Sequence, residues 1–491
     1  MGRTESHWIG NRWIAGDGES LISTDPATGA ENFRGRAATV QEVDAAISAA
    51  KGAFAAWANL SLGDRAALVR KLAEKFGDEK RMLAEAISRE TGKPLWESLT
   101  EVDAMIAKAA ISIEAFEKRC VLERRDLPGN VAGVTRYRPH GVLGVFGPFN
   151  MPGHLPNGHI MPALLAGNTI VFKPSEQTPL VGRIYAELCE SAGFPTGTVN
   201  LVQGARATGK SLVEHPEING VLFTGSTSGG LALRRALADH PEKILALEMG
   251  GNNPLIVHQV ENLDAGAILV IQSAFITAGQ RCSCARRLIL PRGKESDALV
   301  NRLVDLIGKL RIGFWNDQPQ PFLGPVISAH AADAILAAQD RRLSAGANGI
   351  VKLQRDDRSP ALLHPGLLDV TTKNSQIDEE IFGPLLQVIY VSDFSAAIAE
   401  ANNTSYGLSA GLISDSPVHY EQFSAEIRAG VLSWNRPTTG ASSQLSFGGI
   451  GQSGNHRPGG YFAADYCVYP MAAVESLHPQ IPRELPPGIS L

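Results

Sequence analysis

Cysteine is scarce in this chain and scattered where it occurs: Cys120, Cys189, Cys282, Cys284 and Cys467 are five in 491 residues. An odd, dispersed set cannot form the dense disulfide framework of small secreted domains, so free thiols are expected. No long run of lysine and arginine is present to follow a nucleic-acid backbone or an anionic lipid surface, and the net charge is -5. Neither nucleic acid nor a membrane is therefore an expected partner, and a small molecule is. The first twenty residues, "MGRTESHWIGNRWIAGDGES", lack the apolar core of a secretory signal, which makes the cytoplasm the expected location. The stretch 141–172 carries no formal charge, yet it holds two histidines, three asparagines and four prolines. In lipid such residues would leave many polar groups unpaired, so the stretch reads as strand, loop, helix and strand within a folded protein.

What is present fits a large folded protein. Hydrophobic residues make up 44% and charged residues 19%, a balance that buries extensive cores, and a chain of this length divides into about two or three domains. Residues 40 to 120 follow helical spacing, as in "DRAALVRKLAEKF". Beyond residue 140, short β-rich runs ("GVLGVF", "NTIVFK", "TVNLVQ", "GVLFTG") alternate with helical segments such as "LVGRIYAELCESAG". That order implies a parallel sheet with crossover helices. A second series, "PLIV", "ARRLILP", "LLQVIYV" and "AGVLSWN", implies a second α/β domain. "YCVYPMAAVESL" reads as a strand that neither sheet claims.

A parallel sheet raises the question of a nucleotide. The one G-x-G-x-x-G match, Gly449, Gly451 and Gly454, lacks a strand before it and a helix after it, so it reads as an ordinary glycine-rich loop. "VLFTGSTSGGLALRRAL" is better placed, because a strand runs through Gly225, Ser226, Thr227, Ser228, Gly229 and Gly230 into a helix. Its free N–H groups suit a pyrophosphate. A turn using Gly and Ser for steric reasons alone is equally admissible.

Cys282 and Cys284 stand one residue apart in "TAGQRCSCARRL". No second cysteine pair or histidine cluster completes a zinc site, and Cys-x-Cys is a less usual redox spacing than C-x-x-C. A single reactive thiol at Cys282, in the loop after a helix, is the simplest reading, with Cys284 a small apolar filler. Candidate partners lie elsewhere: Glu248 of "ALEMGGNNP" as a general base whose pKa burial would raise, and Asn150 of "FGPFNMPGH" as a donor to a developing oxyanion. Glu380 and Phe382 of "EEIFGP" suit a hydroxyl and a ring face.

Seven segments in order, "FGPFNMP", "AGNTIVFKPSEQTP", "FTGSTSGG", "LEMGGNNP", "GQRCS", "EEIFGP" and "FGGIGQSG", make the chain resemble the aldehyde dehydrogenase superfamily from about residue 8 to 475. Within it, "PNGHIMPALLAGNTI", "TAGQRCSCARRL" and "FGGIGQSGNHRP" look like the branch that oxidises N-succinylglutamate 5-semialdehyde in bacterial arginine catabolism. The resemblance implies an α/β fold in which residues 1–122 and 142–247 form a Rossmann-type NAD-binding domain and 248–440 a catalytic domain. Residues 123–141 and 465–491 would form a small β oligomerisation arm, and 441–464 a glycine-rich loop returning towards the cofactor domain. It further implies a homodimer or homotetramer.

In the implied mechanism the Cys282 thiolate attacks an aldehyde, the Asn150 side chain and the Cys282 N–H hold the oxyanion, and Glu248 activates the water that hydrolyses the resulting thioester. Lys173 and Glu176 match the adenosine-ribose contacts, with Glu176 favouring NAD because a carboxylate repels a 2′-phosphate. Ser226 and its neighbours match the pyrophosphate site, and Glu380 with Phe382 the nicotinamide-ribose site. Phe149 and Met249 stand where many relatives carry Trp and Leu, and both keep an apolar role. A carboxylated substrate calls for cationic or hydrogen-bonding groups, for which Arg281, Arg457, His154 and His456 are the candidates. Another carboxylated semialdehyde, such as succinate semialdehyde, is the near alternative. Two readings of other classes are a cofactor-independent cysteine acyl-transfer enzyme using His154 or His159 as base, and a catalytically silent binding protein.

Overall fold

The computed structural model describes residues 5–128, 131–372, 376–479, 481 and 485–490. Five buried parallel strands make the centre of the first sheet, which continues as an N-terminal hairpin. Its order is Ile244–Met249, Gly220–Gly225, Val142–Phe146, Thr169–Lys173, Val199–Leu201, His7–Ile9 and Arg12–Ile14, with the last two antiparallel. Val142–Phe146 and Thr169–Lys173 are buried at every residue, because helices cover both faces and leave no wet side to alternate towards. From Val142–Phe146 the chain steps outward through Thr169–Lys173 to Val199–Leu201, then returns to Gly220–Gly225 on the opposite side. The reversal opens a crevice at the carboxyl ends of Val142–Phe146 and Gly220–Gly225, where ligands of doubly wound sheets bind.

The second sheet repeats this winding. Its order is Asn348–Val351, Gly366–Asp369, Leu385–Val391, Arg287–Pro291, Pro254–Val257, Ser409–Ile413 and Val431–Trp434. All its pairings are parallel except the outermost, between Asn348–Val351 and Gly366–Asp369. Each large sheet has its own apolar core, the first built around Trp57, Phe76, Phe172 and Tyr185, the second around Phe275, Leu288, Leu386 and Phe423. The uncharged stretch 141–172 folds as strand, turn, helix His154–Ala166 and strand, closed by Gly167 in the left-handed conformation (φ 98°). No helix among the described residues is long and apolar enough to cross a membrane.

The strand read in "YCVYPMAAVESL" is Val468–Glu475, and it joins Val131–Pro139 and Glu123–Leu127 in a separate three-stranded antiparallel sheet. Four helices, Val40–Ala58, Leu62–Asp78, Lys80–Thr91 and Leu95–Arg119, precede this sheet. The first is fixed by a capping box, with Thr39 Oγ1 accepting from Glu42 N and Glu42 Oε2 accepting from Thr39 N.

Helix Thr227–Ala236 lies close against the strand Ile244–Met249, and a Cβ on the buried Gly230 would meet Met249 Sδ at 2.2 Å. We expect Gly230→Ala to lower the unfolding free energy by about 1–3 kcal/mol, the usual cost of overpacking, measured by chemical denaturation. An unchanged midpoint would show that Met249 moves aside freely.

Candidate active site

Asn150 lies in the turn between the strand Val142–Phe146 and helix His154–Ala166, and it is buried. One N–H of its side chain donates to Gln280 O at 2.8 Å, which orients the amide and leaves its second N–H as a donor. Gln280 follows an unusual turn. Helix Leu263–Phe275 runs into Thr277 (φ 57°), Ala278 (φ 51°) and Gly279 (φ 71°), three left-handed residues in succession. That conformation costs about 1–2 kcal/mol at each non-glycine residue, and more than usual for a β-branched one. At Gly279 a side chain has no room, since a Cβ would lie 2.1 Å from Gly383 O.

Buried polar groups hold the turn and the Cys282 loop in place. Asn253 Nδ2 donates to Cys282 O at 2.6 Å and to Cys284 O at 2.9 Å. Arg286, wholly inaccessible to solvent, donates to Gly279 O and, at 2.9 Å, to Arg281 O. Glu97 accepts from Thr277 Oγ1 and, at 2.8 Å, from Arg281 Nη2, while Arg281 Nε donates to Thr277 Oγ1 at 2.8 Å. The Cys282 N–H has no acceptor among the described residues. The loop therefore offers a thiol and a free backbone donor beside the segment that Asn150 touches.

Glu248 sits near the end of the strand Ile244–Met249. The glycine-rich loop completes the open edge of that strand: Gly454 bridges Glu248, and the Asn455 side chain accepts from Leu247 N at 2.9 Å and donates to Leu245 O at 2.8 Å. Neither Glu248 oxygen has a hydrogen-bond partner of ordinary geometry, although the Cys282 thiol and Thr224 hydroxyl approach closely enough to stabilise its anion in part. Burial dominates, and it raises the Glu248 pKa to about 8. The Cys282 thiol is pushed well above its ordinary value, by burial first and then by the negative charge of Glu248 and Glu380. Cys284 is fully buried with its Sγ 3.8 Å from Ile276 O, so the two cysteines occupy different environments.

Glu380 reaches the same region over a paired glycine. It accepts from Gly251 N at 3.2 Å, and a Cβ on Gly250 would stand 1.9 Å from its Oε2. Arg286 links this carboxylate to the Cys282 loop, with Nη2 3.7 Å from Glu380 Oε1 and its guanidinium 5.3 Å from the Phe382 ring centre. Phe382 meets Phe149 edge to face at 5.8 Å. The structure thus brings Cys282, Glu248, Asn150, Glu380 and Phe382 into one connected region.

The remaining candidates divide. Ser226 Oγ accepts from Gly229 N at 3.1 Å as the cap of helix Thr227–Ala236, and Ser226 and Ser228 are exposed at the mouth of the crevice. At the end of the strand Thr169–Lys173, on the other side of Val142–Phe146, Lys173 is buried and donates to Gly204 O at 2.7 Å, with the exposed Glu176 carboxylate 3.8 Å away. Arg281 already has an anionic partner in Glu97. Arg457 is exposed, and its charge falls on His140 near the root of the small sheet, away from the groups around Cys282. His159 is held between Tyr466 Oη at 2.8 Å and Thr224 Oγ1 at 2.9 Å, and burial lowers its pKa to about 3. His154 is lowered to about 4 by burial. Neither imidazole hydrogen-bonds to Cys282, which leaves the acyl-transfer reading without its base.

Sequence reasoning did not single out Lys93, Glu97, Glu101, Asn253, Arg286 or Asn455. Glu97 and Glu101 look like the solvated face of a helix. The only available signal was the apolar and small residues around them in "LWESLTEVDAMIAKAAISI".

Residues 13–471 match the model of the aldehyde dehydrogenase family. The chain belongs to the aldehyde dehydrogenase family. A relative from Chromobacterium violaceum, N-succinylglutamate 5-semialdehyde dehydrogenase, is 52% identical over 486 residues, covering 99% of this chain and 100% of its own. Among solved structures, the NADP-dependent glyceraldehyde-3-phosphate dehydrogenase of Bacillus halodurans, complexed with NADP, superposes with a TM-score of 0.90. It is 28% identical and covers 97% of this chain and 100% of its own. An indole-3-acetaldehyde dehydrogenase complexed with NAD+ has a TM-score of 0.91 at 26% identity, covering 97% of each chain. This aldehyde dehydrogenase therefore shares its whole architecture with enzymes that take either dinucleotide.

Asn253 is the anchor of the Cys282 loop, also accepting from Ser409 N at 3.0 Å. We expect Asn253→Ala to cost about 1–3 kcal/mol for the buried groups left unpaired and to slow alkylation of Cys282 by iodoacetamide. Wild-type stability and alkylation together would show that the loop holds itself.

Proposed function

We propose that this enzyme oxidises N-succinyl-L-glutamate 5-semialdehyde to N-succinyl-L-glutamate, with NAD as acceptor, in arginine degradation. The observation that carries the substrate assignment is the 52% identity, over nearly the whole of both chains, to a relative of that name. A dehydrogenase for another carboxylated semialdehyde, such as succinate semialdehyde, is the alternative.

Cys282 gives up its thiol proton to the ionised form of Glu248, which passes it on to solvent, and attacks the aldehyde carbon as the thiolate; the carbonyl oxygen becomes an alkoxide held by the free N–H of Asn150 and the Cys282 backbone N–H. Preorganised donors in a water-poor site stabilise this charge more than water can, because they need no reorganisation as it forms. NAD, when bound, supplies the acceptor for the hydride that leaves the tetrahedral carbon. Glu248 then takes a proton from the water that attacks the Cys282 thioester, and the carboxylate product and free thiol result. Burial tunes Glu248 for this task, since an acceptor with a pKa near working pH transfers protons best.

The residues present fit NAD. The N–H groups opening helix Thr227–Ala236, with Ser226 and Ser228 exposed beside them, suit the pyrophosphate. Lys173 and Glu176 at and just beyond the end of the strand Thr169–Lys173 would hold the adenosine ribose, with the Glu176 carboxylate disfavouring a 2′-phosphate. Glu380, drawn in over Gly250 and Gly251, would hold the nicotinamide ribose beside Phe382. Arg281 is the candidate for a substrate carboxylate through Nη1, whose one contact is a long 3.5 Å approach to Thr439 O. Arg457 remains a second and more distant candidate. Assembly as a homodimer or homotetramer would use the three-stranded arm, on whose outer strand Val474 is 75% exposed.

The direct test is NADH formation across a panel of aldehydes. N-succinylglutamate 5-semialdehyde should give the highest kcat/KM and Cys282→Ala none, and activity surviving in that variant would overturn the mechanism. A higher kcat/KM for succinate semialdehyde would favour the alternative. Replacing NAD with NADP should raise KM in the native enzyme and less so in Glu176→Gln.

Thioester hydrolysis has a predicted pH profile. Below about 8 Glu248 is mostly the neutral acid and cannot accept a proton, so the rate rises with pH through about 8 and then levels off. Glu248→Gln should lose this limb in pre-steady-state measurements of thioester breakdown.

A further inference from the structure

Helix Leu95–Arg119 carries two buried carboxylates four residues apart, Glu97 and Glu101, each 1% exposed. Acids at this spacing normally line a wet helix face, and here each grips a different catalytic segment. Glu97, in the first helical turn where the dipole favours an anion, holds Thr277 Oγ1 and Arg281 on the nucleophile side. Glu101 accepts from Gly153 N at 2.9 Å and His154 N at 3.1 Å on the oxyanion side. It also pairs with Lys93, whose ammonium donates to Asn150 O at 3.0 Å. The turn carrying Asn150 is thus held at both ends by one buried ion pair, and the strained turn before Cys282 is held one helical turn away.

We propose that this helix is the gauge that sets the spacing between the Cys282 thiol and the oxyanion donor Asn150, with Glu97, Glu101 and Lys93 as its positioning residues. The proposal rests on the reading of Cys282 as nucleophile and Asn150 as oxyanion donor. A rise of about 6 Å over four residues is fixed by helical hydrogen bonds and does not drift with the loops. The left-handed run Thr277–Gly279 would otherwise relax, because such strain persists only where its surroundings over-determine it. The Glu97 carboxylate, tied at once to the Thr277 hydroxyl and the Arg281 guanidinium, supplies that restraint.

Alkylation of Cys282 by iodoacetamide needs the thiol but builds no oxyanion, so it separates the two halves of the gauge. In the full-length enzyme, with Cys282→Ala giving the background, Glu101→Gln and Lys93→Met should lower aldehyde kcat/KM about 10- to 100-fold, the usual cost of a displacement near 1 Å, and leave alkylation within about twofold. Glu97→Gln should slow both reactions. Lys93→Arg, which keeps the charge and the donor, should restore most of the lost oxidation. The gauge is overturned if Glu101→Gln and Lys93→Met oxidise aldehyde at the native rate. It is equally overturned if all three variants slow oxidation and alkylation in parallel with a fall in Tm, the mark of general structural support. Asn150→Ala distinguishes the underlying reading: native oxidation in that variant removes the oxyanion assignment and the gauge with it. A slow Asn150→Ala beside a native Glu101→Gln removes the gauge alone.

Discussion

Three left-handed residues before Cys282, Thr277, Ala278 and Gly279, are the constraint around which the candidate active site is built. The conformation is unfavourable for threonine and alanine, and it places the Cys282 loop where Gln280 O meets the Asn150 amide. Folding must therefore supply restraints from elsewhere, and it does so with groups that water cannot reach. Glu97 holds the Thr277 hydroxyl, Arg286 holds the carbonyls of Gly279 and Arg281, and Asn253 holds those of Cys282 and Cys284. Each of these bonds joins parts of the chain that are local in space and, in the case of Glu97 and Thr277, 180 positions apart in sequence.

The electrostatics follow from the same enclosure. Taking Glu248 and Cys282 out of water raises both pKa values, so the resting site holds a thiol beside a largely neutral acid. In the proposed mechanism the raised pKa makes Glu248 a base of useful strength near that pH. Arg286 joins the Cys282 loop to Glu380 and Phe382, so the half proposed to form the covalent bond and the half proposed to hold the nicotinamide share one buried cation.

Part of this was legible in the residues. Uninterrupted apolar runs such as "GVLGVF" and "NTIVFK" revealed buried parallel strands, because strands covered on both faces have no alternation to hide. "GSTSGG" revealed a helix start after a strand, and the structure supplies the steric reason for Gly230 in the position of Met249. Cys282, Glu248 and Asn150 could be singled out as candidates because their residue types suit the proposed chemistry, and because the motifs containing them occur in family order. Lys93, Glu97 and Glu101 were not legible: an acid at i and i+4 on a helix looks the same whether it faces water or a loop folded back from far along the chain. Asn455 escaped for a related reason, since its side chain takes the place of a strand and leaves no pattern in the backbone sequence. Arg281 was read as a partner for substrate, and the structure shows that it first serves Glu97.

By itself the sequence determined the family, the presence of two parallel α/β sheets and the separateness of Cys282 from Cys284, because these follow from the order of motifs, hydrophobic period and local turn composition. Only the tertiary structure decided which carboxylates are buried and what they hold. That depends on desolvation and on contacts between distant segments, and neither quantity exists until the chain has folded around them.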